Sequence, residues 1–344
     1  MSCPTLPIDR LHPWLAPLAG FSDLAFRLLC REYGASVCVT EMVSAKGLVY
    51  ASPGSRDLLS TSSADLPLVA QLFGAEAPFL AKAVSMLRKK GFVWFDLNMG
   101  CSVRKVLRQG AGAAMLNDPD NALAAARAMI HAAEPGTVGF KLRLFPGEER
   151  GPFSRLREFS LRLQDEGAGW LTLHPRTAAQ AFSGNANRDA LEELASCLSI
   201  PLLASGDLMN AREGLRCLES TGVSGLMYAR GALRDPIIFE DHLRLCRNAP
   251  PRQRRVAVLR DLALRHIRLA RELSSGLSAL WKMRTVIPRY ARGLPGARAL
   301  RDRLCRCTDW PALEEAVEEA LDISCSMDEN RSSNNVKPDR SPAI

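Results

Sequence analysis

Along roughly the first 240 positions, apolar residues recur in short runs of strand length, each closed by glycine or polar residues. The runs cover 14–18, 36–40, 67–72, 92–97, 137–144, 170–173, 201–204 and 225–228. Continuous short apolar runs bounded by turn residues fit strands buried on both faces. Between most of them the spacing lengthens to that of an amphipathic helix. Ser22 is placed to cap a helix carrying Ala25, Phe26, Leu28 and Leu29. Asp118 or Asp120 can open one over 122–133, and Asn210 one over 211–218. Residues 153–166 place apolar side chains at 156, 159, 161 and 163 before the stop at Gly167.

Strands alternating with helices in this way predict an α/β fold, a (βα)8 TIM barrel, with a doubly wound open sheet as the alternative. No Gly-x-Gly-x-x-Gly follows the first run, which weighs against a dinucleotide-binding sheet. The stretch 43–56, interrupted by Gly47, Pro53 and Gly54, reads as a long loop on the active face. After Phe239 only helical patterns remain. An amphipathic stretch over 254–273 is broken by Ser274-Ser275-Gly276. Helices over 277–286 and 297–305 follow, separated by Pro288 and by Gly293-Leu294-Pro295-Gly296. Asp309 with Pro311 starts a last, acidic helix to about Leu321. The expected organisation is a barrel over 1–243, a small all-helical domain over 244–322, and a disordered Ser-, Asn- and Asp-containing tail over 323–344.

Charge sharpens this division. Residues 1–243 hold 25 Lys/Arg and 25 Asp/Glu, residues 244–306 hold 17 and 3, and residues 307–344 hold 3 and 9. A local excess of fourteen positive charges over some sixty residues points to nucleic acid or another anionic surface. No run approaches the ~18 apolar residues of a membrane span. The N-terminus lacks a basic region followed by an apolar core, so a secretory signal is not expected. The ten cysteines show no Cys-x-x-Cys spacing and the five histidines do not cluster with them. Reduced thiols, no metal and a cytoplasmic location are the economical expectation.

In a barrel the working residues stand at the C-terminal ends of the strands. Here those ends read Pro17-Leu18-Ala19-Gly20, Gln71-Leu72-Phe73-Gly74, Asn98-Met99-Gly100-Cys101, Lys141-Leu142-Arg143, His174-Pro175-Arg176-Thr177, Ser205-Gly206-Asp207 and Ala229-Arg230-Gly231. The third is the most telling, because a thiol and an amide at a strand exit are followed by Arg104, Lys105 and Arg108. Gly100 is expected to turn the backbone tightly or let a ligand approach it.

These motifs resemble those of the tRNA-dihydrouridine synthases, bacterial type. Asn-Met-Gly-Cys with Lys105-Val106 is the most specific marker, and Tyr290 with Gly293 to Ala297 resembles that family's helical-domain motif. Several positions depart from the family pattern: Ser102 stands for Pro, Pro175 for Gly, Ser205 for Asn and Ala229 for Gly, and Phe145-Pro146-Gly147 also differs. The resemblance implies FMN-dependent reduction of uridines in tRNA to 5,6-dihydrouridine, with NADPH or NADH as electron donor. It implies hydride delivery to C6 and a proton from Cys101 to C5. The cofactor contacts it implies are Pro17, Leu18, Ala19, Gln71, Lys141, His174, Ser205, Gly206, Asp207, Ala229 and Arg230. Asn98, Arg143 and Arg176 are the implied holders of the target uracil. The basic segment, with Trp281, Lys282, Arg284 and Arg289 at its centre, would grip the tRNA backbone.

Two other readings stay open at this point. An FMN barrel oxidoreductase acting on a small pyrimidine or enone needs no basic appendage. An RNA-binding protein on a dead barrel needs neither Cys101 nor Lys141. Oligomeric state is open, a monomer being the simplest expectation.

Overall fold

A computed structural model describes residues 5–274, 276–293 and 297–333. The strands are β1 (Trp14–Leu15), β2 (Val37–Val39), β3 (Val43–Ser44), β4 (Leu68–Phe73) and β5 (Trp94–Met99). They continue with β6 (Val138–Arg143), β7 (Trp170–His174), β8 (Leu202–Ala204) and β9 (Gly225–Tyr228). Every pairing is parallel. The order runs β2-β1-β9-β8-β7-β6-β5-β4, and the β2–β4 pairing closes the ring. Eight strands therefore form a TIM barrel, and the open-sheet alternative is excluded. Each of the eight runs read from the sequence overlaps one of the eight barrel strands, those of β4, β5 and β7 stopping one or two residues short of the strand end.

The strands are buried along nearly their whole length because one face meets the surrounding helices and the other fills the barrel. Trp14, Val37, Val39, Val69, Trp170, Leu203 and Met227 pack into one cluster. The Trp14 and Trp170 rings within it meet edge to face at 5.5 Å between centroids.

Several local expectations are corrected. The helix after β1, Leu24–Glu32, is capped by Asp23, whose side chain accepts from Phe26 N. Ser22 instead folds the preceding loop, accepting from Leu18 N at 2.8 Å. The 43–56 stretch is no open loop: it contains β3, which pairs with Leu72 and Phe73, and two short helices, Ala45–Val49 and Gly54–Asp57. A cap explains the first, since Ser44 accepts from Gly47 N and tolerates a glycine within its opening turn. Asp118 and Asn210 cap the helices Pro119–Ala132 and Ala211–Thr221 as read.

Two compact units divide the chain, Met1–Pro251 and Arg252–Ile344. In the second, four helices follow one another: Val256–Leu273, Leu277–Tyr290, Ala297–Leu304 and Trp310–Ser333. Pro288 lies inside the second of these, which runs on past the end read from the sequence. Leu262, Ile267, Leu280, Met283, Val286, Leu300, Leu304, Leu313 and Val317 are buried, each on the apolar side of its helix. The last helix passes the boundary drawn at 322. Residues 334–344 of the expected tail, and Leu294, Pro295 and Gly296 of the helical-domain motif, lie outside the described residues. No helix among the described residues is long and apolar enough to cross a membrane.

Candidate active site

The strand ends converge on one cavity holding about 1020 Å³ of free space, its open mouth included. Pro17, Leu18 and Ala19 form one apolar wall. Gln71, Asn98, Cys101, Lys141 and Arg143 come from the ends of β4, β5 and β6. His174, Ser205, Gly206, Asp207, Ala229 and Arg230 close the far side from β7, β8 and β9. Of the residues read from the sequence, only Arg176 is absent from the lining.

Cys101 is half-exposed and held from both sides. Its N–H donates to Asn98 Oδ1 at 2.8 Å, and its carbonyl accepts from Ala113 N at 3.0 Å. A side chain at Gly112 would stand 2.7 Å from that same carbonyl, so the close approach requires glycine, which here also has φ +64°. Gly100 lies on the cavity lining and its φ is not positive. Its carbonyl accepts from Arg143 Nε at 2.7 Å.

Arg143 is itself a strut. Its Nη1 also donates to the carbonyls of Thr177 (3.0 Å) and Ala181 (2.9 Å), tying the β5 exit to the loop after β7. Arg176 is buried behind the cavity wall. It donates to both Asp207 oxygens and to the carbonyls of Ser183 and Gly184. Asp207 also accepts from Ala186 N and Arg230 Nη2. Burial alone would raise its carboxyl, but hydrogen bonds from Arg176 and Ala186, with the charges of Arg176 and Arg230, hold it below the ordinary range.

His174 is pushed down to about 2, first by burial and then by the positive charges of Lys141, Arg143, Arg176 and Arg230. The imidazole is therefore neutral. Arg176 Nη1 can only donate, so the His174 Nε2 that it meets at 3.2 Å is the acceptor and Nδ1 carries the proton. A Cβ on Gly206, which has φ +101°, would lie 2.4 Å from the ring, so glycine is needed there. Lys141 makes no hydrogen bond or ion pair with a described residue. Burial lowers its amine, an effect Asp96 opposes, and burial raises the Asp96 carboxyl.

Sequence reasoning missed part of the lining: Met42, Val103, Leu208, Met209 and Phe182. Phe182 is 58 % exposed. Arg230 lies 4.4 Å and Arg143 5.8 Å from its ring centroid, with the His174 ring at 6.2 Å. It sits in the loop after β7, at no strand end, and a single aromatic there carries no sequence signal.

A closed barrel with a thiol, an uncommitted lysine and a neutral histidine at its strand ends defines an enzyme site. The sequence matches the family Dihydrouridine synthase (Dus) over residues 14–325. It is 31% identical over 309 residues to "Probable tRNA-dihydrouridine synthase 1" of Synechocystis sp., covering 89% of this chain and 85% of that protein. It is 30% identical over 324 residues to "tRNA-dihydrouridine synthase B" of Pseudomonas syringae pv. tomato, covering 94% and 95%. A solved structure of TcOYE superposes with a TM-score of 0.50 at 9% identity, over 70% of this chain and 90% of that one, a likeness of fold. The chain belongs to the dihydrouridine synthase family. It is accordingly an oxidoreductase.

Proposed function

We propose that this dihydrouridine synthase reduces particular uridines of tRNA at their 5,6 double bond, using FMN in the cavity and NADPH or NADH as the source of electrons. The observation that carries the reading is Cys101: a thiol held at both of its peptide groups, on the wall of a cavity that also gathers Lys141, His174 and Gln71.

The donor set fits a flavin mononucleotide. Lys141 makes no hydrogen bond with a described residue, His174 keeps an N–H free of Arg176, and Arg230 stands beside the Ser205–Gly206 turn. Three positive side chains on the wall face the single carboxylate of Asp207, as an electron-rich ring and a phosphate require. Pro17, Leu18 and Ala19 would lie along the ring, with Gln71 and Lys141 at its polar edge. His174, Ser205, Gly206, Ala229 and Arg230 would serve the phosphate side, and Asp207 would hold Arg230 in place. Bound and reduced, FMN supplies the hydride that C6 of the uracil accepts.

The chain's own chemistry is the other half. Hydride at C6 leaves carbanion character at C5, conjugated to the C4 carbonyl, and C5 then needs a proton. A thiol S–H supplies it, and this is the role of Cys101. Asn98 and Arg143 fix the loop that carries the thiol and lie where they meet the base. The target base leaves the RNA stack to enter the cavity. The basic helical unit holds the tRNA backbone. A tRNA substrate assigns the protein to the cytoplasm.

The test is a dihydrouridine map of cellular RNA, by mass spectrometry, from a strain lacking the gene and from the same strain carrying Cys101→Ala. One tRNA position should lose dihydrouridine and the variant should fail to restore it. In vitro, kcat should drop by about 10²–10⁴ in Cys101→Ala. A map unchanged at every position, with no redundant enzyme, would remove the RNA substrate and return attention to small pyrimidines.

A further inference from the structure

The hydrogen bonds beneath Cys101 have a direction. The N–H groups of Gly100 and Cys101 both donate to one atom of the Asn98 side chain, at 3.1 and 2.8 Å. A backbone N–H can only donate, so that atom is the amide oxygen and the other is the nitrogen. That nitrogen donates to Gln71 Oε1 at 2.9 Å. Gln71 is thereby fixed too: its nitrogen turns to Asp96 and donates to Oδ1 at 2.7 Å. Each orientation is forced by the one before it, and the line ends on a carboxylate, which while ionised only accepts.

Asp96 is a costly way to end it. The residue is 1 % exposed, and its second oxygen, Oδ2, is buried with no hydrogen-bond partner among the described residues. An orphaned buried oxygen costs free energy that an apolar side chain on this strand would avoid. Lys141, on the neighbouring β6, is the charge that attracts it. A carboxylate that donated, or a donor in its place, would reverse Gln71 and set nitrogen against nitrogen at Asn98.

We propose that Asp96 is a positioning residue for the Cys101 thiol: its carboxylate sets the direction of the Gln71–Asn98 chain, and that chain holds the Cys101 peptide. Of the second N–H groups, that of Asn98 is taken up by Met42 Sδ at 3.7 Å, and that of Gln71 is left outside the chain. Gln71 lines the cavity, so a ligand it meets must offer an acceptor, as the carbonyls of uracil and of a flavin ring do. The catalytic weight of the tether rests on the reading of Cys101 as proton donor; the tether itself does not.

The test reads the thiol. Iodoacetamide alkylation of Cys101 is followed by peptide mass spectrometry at pH 8 in the flavin-loaded protein, with thermal melting alongside. Asp96→Leu, which removes the acceptor, should alkylate about fivefold faster than the parent. Asp96→Asn keeps a carbonyl facing Gln71 and should stay within about twofold, although it has lost the charge. A leucine variant reacting at the parental rate would overturn the proposal. So would an asparagine variant as fast as the leucine one, which would assign the effect to charge rather than to direction. Should Asp96→Leu not fold, Gln71→Met breaks the chain at its next link and is read in the same way, a parental rate again overturning it. These rates need no RNA. A parent protein that forms no dihydrouridine but shows this pattern of rates would end the functional reading and uphold the tether.

Discussion

Arg176 meets Asp207 fork to fork, Nη1 to Oδ1 at 2.9 Å and Nη2 to Oδ2 at 2.6 Å, with the arginine 1 % exposed. This arginine builds the wall of the cavity rather than facing into it. The planar fork cannot be reproduced by an ammonium. Arg176→Lys is therefore expected to destabilise the protein by about 1–3 kcal/mol, discounted because Asp207 is about a third exposed. The flavin content should fall in parallel, because Arg230 shares the same carboxylate. Urea melts and the absorbance of the purified protein check both. A variant of parental stability with only a raised KM for tRNA would restore Arg176 to direct contact with the base.

That pair shows where sequence stops being informative. The strand ends were legible because a barrel writes each one locally, as an apolar run closed by polar residues, and the same pattern named every cavity residue assigned to β4, β5 and β6. Whether an arginine at such an end points inward or backward depends on what stands behind it. For Arg176 that is Asp207, thirty-one positions on, and the carbonyls of a loop. Ser22 and Asp23 compete for the same cap, and only the fold of the preceding loop decides between them. Phe182 was invisible because its position is set by Arg143 holding Ala181, a contact between distant segments.

His174 gives a pH dependence whose sign is fixed. The folded ring is held down to about 2, whereas in the unfolded chain it titrates near 6.5. Between those values the unfolded state binds a proton that the folded state refuses, so stability falls as the pH drops below about 6.5. One proton accounts for ~2 kcal/mol between pH 7 and pH 5. In flavin-free protein, His174→Asn should lose about that much less than the parent over the same interval, measured by urea unfolding. Equal losses would mean that the folded ring accepts the proton.

Phe182 stands at the mouth of the cavity with its ring mostly in solvent and two guanidinium groups against it. Removing it exposes no core, so Phe182→Ala should leave the melting temperature within about a degree or two, as surface substitutions do. The loss should fall on binding. A base stacked on an aromatic is worth about 1–3 kcal/mol, so KM for tRNA is expected to rise about fivefold or more while flavin content is kept. Loss of flavin with an unchanged KM would instead assign the ring to the cofactor.

The helix Ala297–Leu304 buries Leu300 and Leu304 on one side, which turns Arg298 and Arg301 to solvent. Both are exposed, and neither has an ion pair with a described residue, unlike Arg303, which pairs with Glu319. If this unit grips a phosphate backbone, each cation seated on a phosphate releases about one condensed counterion. The logarithm of the tRNA affinity then falls linearly with the logarithm of salt concentration, and removing one such cation flattens the slope by about 0.7–0.9. Arg298→Ala and Arg301→Ala should each take about that much from the slope without changing kcat at saturating tRNA. Arg303→Ala should take less, because its charge is already partly neutralised by Glu319. The measurement is a titration of tRNA binding from low to physiological salt. Slopes identical in all three variants would move the phosphate-binding cations to another face of the unit, and a larger effect for Arg303 than for Arg298 would show that Glu319 does not compete with phosphate.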